Sequence, residues 1–379
     1  MSRQGGRRSR ARKPRGASAV GRRFEVEVGP VAHGGHFVAR LPEADGSRVL
    51  FVRHALPGER VVVEVTDGTE GDSFWRADAV EVLDASPERV PAPCPYAGPG
   101  LCGGCDFQHV DLAAQRRLKA DVVREQLRRL ARLDVDVEVE PVPGDEAGLR
   151  WRTRQRYVAL ADGGRGMRKH RSHDVVPVEE CLLEAPAGPS YEVHGRAFEV
   201  ADGGFWQVHP GAPEALVDAV LDALRPQPGE RVLDLYAGVG LFTRFLQEAV
   251  GPSGRVAAVE GDRTASALSE RNCPGVTARA GDVGEVLAGG LPEEWDRADL
   301  VVLDPPRAGA KRAVVDQVVR RAPRAVAYVA CDPAALARDL ALFAGHGYRL
   351  ASLRAFDLFP MTSHVEVVAK LVRADGDLQ

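Results

Sequence analysis

The sequence predicts an α/β protein in which a small β-barrel and a small α+β region precede a Rossmann-like, mainly parallel sheet. From about residue 230 onward, strand, turn and helix patterns alternate, which is typical of a parallel sheet with helices on both faces. From Phe24 to Asp84, short alternating apolar runs are separated by glycine and proline and show no helical period, which indicates a small barrel. We therefore divide the chain into residues 1–23, 24–85, 86–205 and 206–379.

The barrel prediction rests on five short runs with strand-like alternation. They read FEVEV, HFVARL, VLFVR, RVVVEV and ADAVEVL, and the turn Pro57-Gly58 separates the third from the fourth. Small barrels serve many purposes, so the shape alone leaves open whether this one binds a ligand or is a structural cap.

The C-terminal sheet is predicted from seven strands and four helices. The strands are expected at 231–237, 255–260, 276–280, 299–304, 325–331, 348–357 and 364–373, and the helices at 240–250, 263–272, 310–322 and 333–344. The last two strands have no helix between them, so the seventh is expected to run antiparallel and to insert beside the fifth.

The composition is that of a globular protein long enough for two or three domains. Of the 379 residues, 44% are hydrophobic and 27% are charged, and the net charge is -4, which excludes fibrous and wholly disordered chains. No apolar run reaches the roughly 18 residues of a membrane span, and no hydrophobic segment follows the Arg-rich N-terminus. We expect a cytoplasmic monomer that contacts no membrane and requires no obligate protein partner.

Basic residues are concentrated before the sheet. Residues 1–23 carry nine basic side chains and no acidic one, which predicts a disordered tail that binds polyanions or merely adds solubility. A helix predicted over 111–133 carries Lys119 and five arginines beside its apolar positions, typical of a solvated face that can meet phosphate. Trp151 and Tyr157 alternate with arginines along expected strands, where they could stack on unpaired bases.

The first strand of the sheet leads into a glycine-containing turn. The run VLDLYAGVGLFT, residues 232–243, places Asp234, Gly238 and Gly240 between strand and helix. Glycine lets a ligand approach the backbone, and the following helix offers free N–H groups. NAD-binding folds share this feature, but Thr243 replaces the third glycine of their fingerprint and no second nucleotide-binding half follows.

Acidic residues end the next three strands. Glu260 stands where a carboxylate can accept the two ribose hydroxyls of an adenosine ligand, and Asp282 stands at a distance expected for the adenine amine. Asp304 begins the sequence Asp304-Pro305-Pro306-Arg307, in which the prolines stiffen the loop and present the aspartate at the ligand edge of the sheet. Together with DLYAGVG, this element resembles class I S-adenosylmethionine methyltransferases, particularly those that act on nucleic acid bases.

Two further side chains are expected at the same edge. Cys331 ends the fifth strand just before a helix N-terminus, which predicts a lowered thiol pKa, whereas an isolated cysteine is more often a small buried apolar residue. Glu366 lies at the start of the seventh strand. If that strand is antiparallel and lies beside the fifth, Cys331, Glu366 and Asp304 converge.

Four cysteines form a separate cluster in the sequence. Cys94, Cys102 and Cys105 lie close together, and Cys181 follows. Four thiolates can hold a [4Fe-4S] cluster or a structural zinc ion, and the spacing does not choose between them. Cys273 has no partner in this pattern.

Taken in order, these motifs resemble the RNA 5-methyluridine (uracil-C5) methyltransferase family of the TrmA and RumA/RlmD type. The resemblance covers nearly the whole chain from Phe24 onward. It is carried by the barrel, which resembles the OB-like, RNA-binding TRAM module, and by CPYAGPGLCGGCDFQH, RWRTRQRY, RSHDVVPVEEC, FWQVHP, DLYAGVG, DPPRAG, the Cys331 segment and PMTSHVE.

The resemblance implies an S-adenosylmethionine-dependent enzyme that methylates carbon 5 of a uridine in structured RNA, 23S rRNA being favoured and tRNA possible. It implies Cys331 as the nucleophile that adds to carbon 6 and Glu366 as the base that removes the carbon 5 proton. It assigns cofactor contacts to five residues: Gln207, Tyr236, Glu260, Asp282 and Asp304. It also favours a structural [4Fe-4S] cluster over zinc, and RNA contacts by segments 24–85 and 86–205.

Three departures from the family pattern concern the cluster and the RNA path. Seven residues separate the first two cluster cysteines instead of the usual five, His209 replaces an asparagine, and the stretch between Cys181 and FWQVHP is short. Two other functions remain open. Cytosine-C5 methylation also uses a cysteine but usually in a Pro-Cys dipeptide, whereas Cys331 follows Ala330, and an RNA-binding or assembly factor could keep a vestigial methyltransferase fold.

Overall fold

The computed structural model describes residues 16–43 and 46–374, so most of the predicted basic tail lies outside the described residues. The N-terminal part is a closed barrel of five strands in the order β1-β2-β3-β5-β4. The strands are β1 Arg23–Ala32, β2 His36–Glu43, β3 Gly46–Arg53, β4 Arg60–Asp67 and β5 Phe74–Asp84. The predicted barrel is confirmed.

Alternate residues of the barrel strands fill its interior. Phe37, Leu50, Val61 and Trp75 are almost completely buried there, as the period of two in a strand requires. Trp75 also satisfies its indole N–H, which donates to the carbonyl of Thr69 at 2.7 Å. Because the sheet closes on itself, the barrel leaves no long unpaired strand edge.

The central region has one long helix and otherwise short elements. Helix α1, Leu112–Gln126, is capped by Asp111, whose carboxylate accepts from the backbone N–H groups of Ala113 and Ala114, and a π-helical turn, Leu127–Ala131, extends it. The short strands are β6 Val139–Pro141, β7 Val158–Ala159, β8 Arg165–Arg168, β9 Val175–Pro177, β10 Glu192–Val193 and β11 Arg196–Ala197.

The C-terminal part contains the predicted seven strands and adds an eighth from the central region. They are β12 Arg231–Leu235, β13 Arg255–Glu260, β14 Thr277–Ala280, β15 Leu300–Leu303, β16 Ala325–Ala330, β17 Tyr348–Asp357 and β18 Glu366–Arg373. The order is β14-β13-β12-β15-β16-β18-β17-β6. Strand β18 is antiparallel to both of its neighbours, as predicted.

Helices cover both faces of this sheet. They are α2 Ala212–Leu224, α3 Leu241–Val250, α4 Arg263–Asn272, α5 Val283–Glu285, α6 Lys311–Arg320 and α7 Pro333–Ala344, with short helical turns at Val286–Gly290 and Glu293–Trp295. The pattern analysis did not include α2. Each face has its own apolar core, one around Val301, Val326 and Leu336 and the other around Leu216, Val232 and Val302.

The central region is joined to the sheet by packing as well as by pairing. Strand β6 pairs in parallel with β17, so that Val139 lies opposite Ala355. Residues Ala120, Val123 and Leu127 of the central helical segment belong to the same core as the sheet. Across residues 16–43 and 46–374, none of the helices combines the length and the apolar character needed to cross a membrane.

Two expectations for basic and aromatic surfaces were wrong. Lys119 is completely buried, and its Nζ donates to Asp357 at 2.5 Å and to the carbonyl of Phe359 at 3.0 Å. Trp151 is also buried, in a small core with Leu183 and Met361, and cannot stack on a base. Lys119 reaches the end of β17 and Trp151 lies against His209 and Phe359, because the central region packs against the C-terminal part, which local periodicity does not show.

Candidate active site

Strand register brings the predicted nucleophile and base to the same edge of the sheet. In the β16–β18 pair, Ala330 lies opposite Val367, so Cys331 and Glu366 are the next facing positions. Strands β12, β15 and β16 run in parallel and end at this edge. The predicted convergence of Cys331 and Glu366 therefore follows from the antiparallel insertion of β18.

The thiol of Cys331 lies among acidic groups. Burial raises its pKa to about 11, and the carboxylates of Glu366, Asp304 and Asp332 act in the same direction. The Arg307 guanidinium opposes them. The expectation that the N-terminus of α7 would lower the thiol pKa was therefore wrong for the cofactor-free protein, because burial and nearby acidic groups outweigh the helix.

The Glu366 side chain is buried, and it forms no ion pair with any of the residues that the structure describes. Burial raises its pKa well above the ordinary value, and repulsion by Asp304 adds to this shift, whereas Arg307 lowers it. The guanidinium of Arg307 donates to the neutral ring of His364 at 3.3 Å. Burial and Arg307 lower the pKa of His364 to about 4. The raised pKa makes Glu366, once ionised, a stronger base than an ordinary glutamate.

The buried Asp234 and the half-buried Asp304 lie at the ends of neighbouring strands next to the glycine turn. Burial, with repulsion from Asp234 and Glu260, raises the pKa of Asp304 to about 7. Burial also raises the pKa of Asp234 to about 6. Oδ2 of Asp234 accepts from the Thr243 hydroxyl at 2.5 Å, while its Oδ1 has no partner. Thr243, which replaces the third glycine of the NAD fingerprint, thus holds a carboxylate beneath the turn.

The glycines of the turn have distinct roles. Gly238 has a φ of +56°, and a Cβ there would meet nothing within 4 Å, so the position opens toward a ligand. Gly240 has a φ of +94°, and a Cβ there would lie 2.9 Å from the sulfur of Cys273. Cys273 is completely buried and packs under the turn, which gives this unpaired cysteine a structural role.

The other predicted cofactor residues surround this turn, with one exception. Glu260 accepts from the backbone N–H groups of Gly238 at 2.9 Å and Asp262 at 2.7 Å. Tyr236 has a φ of +67°, and burial, with repulsion from Asp282, raises the pKa of its phenol to about 12. The exposed Asp282 caps α5.

Gln207 is the exception among the predicted cofactor residues. It follows the exposed Phe205 and the buried Trp206 in the sequence, and no described contact joins it to the glycine turn. Val208, next to it, is held by Thr153, whose backbone N–H and hydroxyl both donate to the Val208 carbonyl. A role for Gln207 at the cofactor stays a prediction.

The four predicted ligand cysteines line one cavity. Cys94, Cys102, Cys105 and Cys181 surround it, and none of them forms a disulfide. N–H groups approach three of the sulfurs: the backbone of Gly104 donates to Cys102 at 3.4 Å, and the side chains of Gln108 and Gln155 donate to Cys105 at 3.4 Å and Cys181 at 3.0 Å. Within the described ranges, no group of three or more His, Cys, Asp or Glu side chains is arranged to hold a single metal ion.

The cysteine segment also holds the loop that precedes Glu366. The carbonyl of Met361 accepts from the backbone N–H groups of Asp106 and Phe107, both at 3.0 Å. The carboxylate of Asp106 accepts from the backbone N–H of Ser363 at 2.9 Å. Segment 105–107 thus holds the loop of Met361 and Ser363 in place, a contact that the sequence pattern does not indicate.

Several residues near the site were not selected from the sequence as functional. Arg307 was noted only as part of the Asp-Pro-Pro-Arg element, although its guanidinium faces Cys331 and Glu366. His33 contacts Asp332, the residue after Cys331, from the distant barrel. Arg307 could have been selected because it follows Asp304 by three residues. No pattern in the sequence around His33 indicates its contact with Asp332.

The glycine turn, the acidic strand ends and the inserted antiparallel β18 define a class I S-adenosylmethionine-dependent methyltransferase. A sequence profile described as TRAM domain matches residues 17–77, and one described as tRNA (Uracil-5-)-methyltransferase matches residues 293–374. An uncharacterized RNA methyltransferase of Streptomyces avermitilis is 46% identical, over 93% of this chain and 98% of the relative. The chain belongs to the RNA (uracil-C5)-methyltransferase family, as the motifs predicted.

Two further relatives carry more specific names. The 23S rRNA (uracil(1939)-C(5))-methyltransferase RlmD of Alkalilimnicola ehrlichii is 30% identical, over 93% of this chain and 97% of the relative. The solved structure of Pyrococcus abyssi tRNA (uracil-54, C5)-methyltransferase in complex with S-adenosyl-L-homocysteine has a TM-score of 0.66 at 20% identity, over 92% of this chain and 100% of that chain. The second likeness concerns the fold.

Proposed function

We propose that this enzyme methylates carbon 5 of a uridine in 23S rRNA through a covalent adduct between Cys331 and carbon 6 of the uracil. The observation that carries the proposal is the β16–β18 register, which puts Cys331 and Glu366 at facing positions on the edge where Asp304 also lies. The relative named RlmD supports 23S rRNA over tRNA, because its similarity extends along the sequence of nearly the whole chain.

The proposed reaction compensates for the weak nucleophilicity of carbon 5. The Cys331 thiolate forms a bond to carbon 6, and the electron pair of the carbon 5–carbon 6 double bond moves toward the carbon 4 carbonyl as an enolate. Carbon 5 then attacks the sulfonium methyl, and the bond from that methyl to sulfur breaks to leave S-adenosylhomocysteine. Glu366 removes the proton from carbon 5, the double bond re-forms, and the thiolate is expelled.

The electrostatics of the resting site are compatible with this sequence of steps. Arg307 is the cation that favours the thiolate of Cys331 and the ionised form of Glu366. The orphan oxygen of Asp234 and the raised pKa of Asp304 mark two carboxylates that a cationic ligand would stabilise in their charged form. S-adenosylmethionine supplies such a cation, and Tyr236, Glu260 and Asp282 surround the adjoining turn.

The adduct can be tested with RNA that contains 5-fluorouridine, because fluorine leaves no proton for the elimination step. We expect a denaturant-resistant complex that forms only with S-adenosylmethionine, visible as a shifted band on a denaturing gel. Cys331→Ala should abolish it, whereas Cys273→Ser, which changes a cysteine under the glycine turn, should retain it. Glu366→Gln should trap the adduct with ordinary uridine RNA. An adduct that persists in Cys331→Ala would exclude the assigned nucleophile.

The RNA itself can be identified from modified nucleosides. Cells that lack the gene should lose 5-methyluridine from one position of 23S rRNA, and the gene with Cys331→Ala should not restore it. Loss from tRNA alone would reassign the substrate. Unchanged RNA together with intact S-adenosylmethionine binding would favour the alternative of an RNA-binding factor with a vestigial site.

We propose that the barrel, residues 24–85, and the central region, residues 86–205, bind the RNA around the methyltransferase domain, residues 206–379. A cavity of about 520 Å³ lies between the barrel and the central region. Its lining includes Phe51, Arg76, Lys169 and Arg171, which can contact a base and the phosphates beside it. Lys169→Ala with Arg171→Ala should weaken RNA binding and its salt dependence without changing S-adenosylmethionine affinity.

We propose that Cys94, Cys102, Cys105 and Cys181 hold a [4Fe-4S] cluster. The donor set supports it: four thiols line one cavity, and N–H groups approach three of the sulfurs. A [4Fe-4S] cluster takes four cysteine thiolates, which these four residues would supply. The cluster would supply structural cross-linking of the central region, since methyl transfer involves no electron transfer.

Anaerobic purification tests the metal directly. We expect a brown protein with absorbance at about 400 nm and about four iron atoms per chain. Cys181→Ser should lose iron, whereas Cys273→Ser should keep it. One zinc ion per chain without iron would overturn the assignment.

A further inference from the structure

The turn between the first two barrel strands reaches into the active site. His33 lies in this β1–β2 turn, which spans residues 33–35, and its Nε2 lies 3.3 Å from Oδ2 of Asp332. Asp332 directly follows Cys331 and is the N-cap of α7, where its other oxygen accepts from the backbone N–H of Ala335 at 2.8 Å. A residue of the barrel is thus bonded to the residue next to the nucleophile.

The same turn contacts the loop that leads to the base. Gly35 has a φ of +76°, and a Cβ there would lie 2.8 Å from Cγ of Asp106 and 3.0 Å from Cβ of Ser363. Ser363 precedes Glu366 by three residues and is bonded through its N–H to Asp106. Arg53, at the end of β3, also donates to Asp106 at 3.4 Å. The turn therefore touches the segments of both catalytic residues.

We propose that the β1–β2 turn of the barrel is a positioning element of the methyl-transfer site, and that His33 orients the Cys331 segment and offsets the charge of Asp332. The inference rests on the proposed nucleophile. It gives the TRAM barrel a role at the reacting thiol in addition to any contact with RNA, because displacement of the barrel would release Asp332 from its only described cationic partner.

The charges around both groups set the expected direction of the effect. The hydrogen bond to Asp332 raises the pKa of His33, and Glu125 acts in the same direction, whereas burial and Arg338 oppose them. His33 therefore keeps its proton to a higher pH than an ordinary imidazole does. Asp332 raises the pKa of Cys331, together with Glu366 and Asp304 and against Arg307. Without His33, Asp332 repels the developing thiolate more strongly, and Cys331 ionises less readily.

The effect of His33 on the reactivity of the Cys331 thiol can be measured without RNA or cofactor. We expect His33→Ala to slow the alkylation of Cys331 by iodoacetamide about two- to fivefold at pH 7, the range expected for a partly exposed ion pair. The modified peptide is quantified by mass spectrometry. The effect should shrink as the pH rises through the raised pKa of His33 and the wild-type imidazole loses its charge, and His33→Arg, which keeps the charge, should restore the rate. Asp332→Asn, which retains an N-cap, should accelerate the reaction.

The pair can be isolated by a double-mutant cycle. In the Asp332→Asn background, His33→Ala should have no further effect on the alkylation rate. The matched control is His346→Ala, which removes a similar pair with Asp316 (2.9 Å) beyond the far end of α7 and should leave the rate unchanged. The proposal would be overturned if His33→Ala left the alkylation rate and its pH profile unchanged. It would also be overturned if His33→Ala slowed alkylation in the Asp332→Asn background as much as it does in the wild type.

The outcome also separates this inference from the proposed function. If Cys331 is not the nucleophile, wild-type protein either forms no adduct with 5-fluorouridine RNA or forms one that persists in Cys331→Ala, whatever His33 does to alkylation. If only the positioning role is wrong, the wild-type adduct forms and His33→Ala forms it at the same rate.

Discussion

Replacement of Asp304 by asparagine should stabilise the cofactor-free protein at alkaline pH while it abolishes cofactor binding. The reason is that burial and the carboxylates of Asp234 and Glu260 raise the pKa of Asp304 to about 7. A carboxyl whose pKa is higher in the folded than in the unfolded state favours folding when it is neutral. Folding stability is thus unaffected by this group below about pH 4 and falls as pH rises toward 7.

The size of the effect follows from the shift. The pKa of Asp304 rises from 3.8 to about 7, and each unit corresponds to about 1.4 kcal/mol, so the cost approaches about 4 kcal/mol above pH 7. Residual solvent contact of the side chain reduces this to about 2–4 kcal/mol. For a domain of this size, the gain in Asp304→Asn corresponds to about 5–10 °C in melting temperature at pH 8.

The assay is thermal unfolding of dialysed protein at pH 4.5 and pH 8, followed by tryptophan fluorescence. Asp304→Asn and wild type should differ in stability by about 1 kcal/mol or less at the lower pH and separate further at the higher one. Asp202→Asn, a change at an exposed position, is the control and should match wild type at both. Saturating S-adenosylmethionine should raise the melting temperature of wild type only. A variant less stable than wild type at pH 8 would refute the reasoning.

Three further changes test other parts of the structure. Lys119→Met leaves the charge of Asp357 buried without its partner and should lower the free energy of unfolding by about 3–5 kcal/mol, measured by denaturant unfolding. The double variant with Asp357→Leu should recover most of this loss. Gly240→Ala forces a Cβ against Cys273 at a φ of +94° and should weaken S-adenosylmethionine binding in calorimetry, with partial recovery in the double variant with Cys273→Ala. Arg307→Ala removes the cation facing Cys331, so alkylation of that thiol should slow at every pH below about 10; an equal or faster rate would contradict the assigned electrostatics.

Much of the sheet was predictable because each of its signals is local. The strand-turn-helix alternation predicts β12 to β18, and the missing helix between β17 and β18 predicts the antiparallel insertion. That topology is sufficient to bring Cys331 and Glu366 together, since both positions follow from strand ends. The glycine turn was likewise predictable, because backbone conformations with positive φ select glycine.

The remainder depends on contacts between distant segments. Lys119 looks like a surface residue within its helix, and only the packing of α1 on the 357–359 segment gives it a buried partner. The thiol pKa was mispredicted because its largest cause is burial, which depends on how the surrounding segments pack; the convergence of Glu366 and Asp304 on Cys331 was itself predicted, but its effect on the thiol was not. The pair between His33 and Asp332 joins positions about 300 residues apart and has no sequence pattern.

The edge strand β6 affects where this chain can be truncated. It belongs to the central region, yet it pairs with the last three residues of β17, positions 355–357, on the outer edge of the sheet. A C-terminal fragment that starts at residue 206 would lose this pairing and leave the outer edge of β17 without a partner strand, and bare strand edges recruit other strands. Such a fragment should self-associate, whereas one that begins at residue 86 carries its own protective strand and should stay monodisperse.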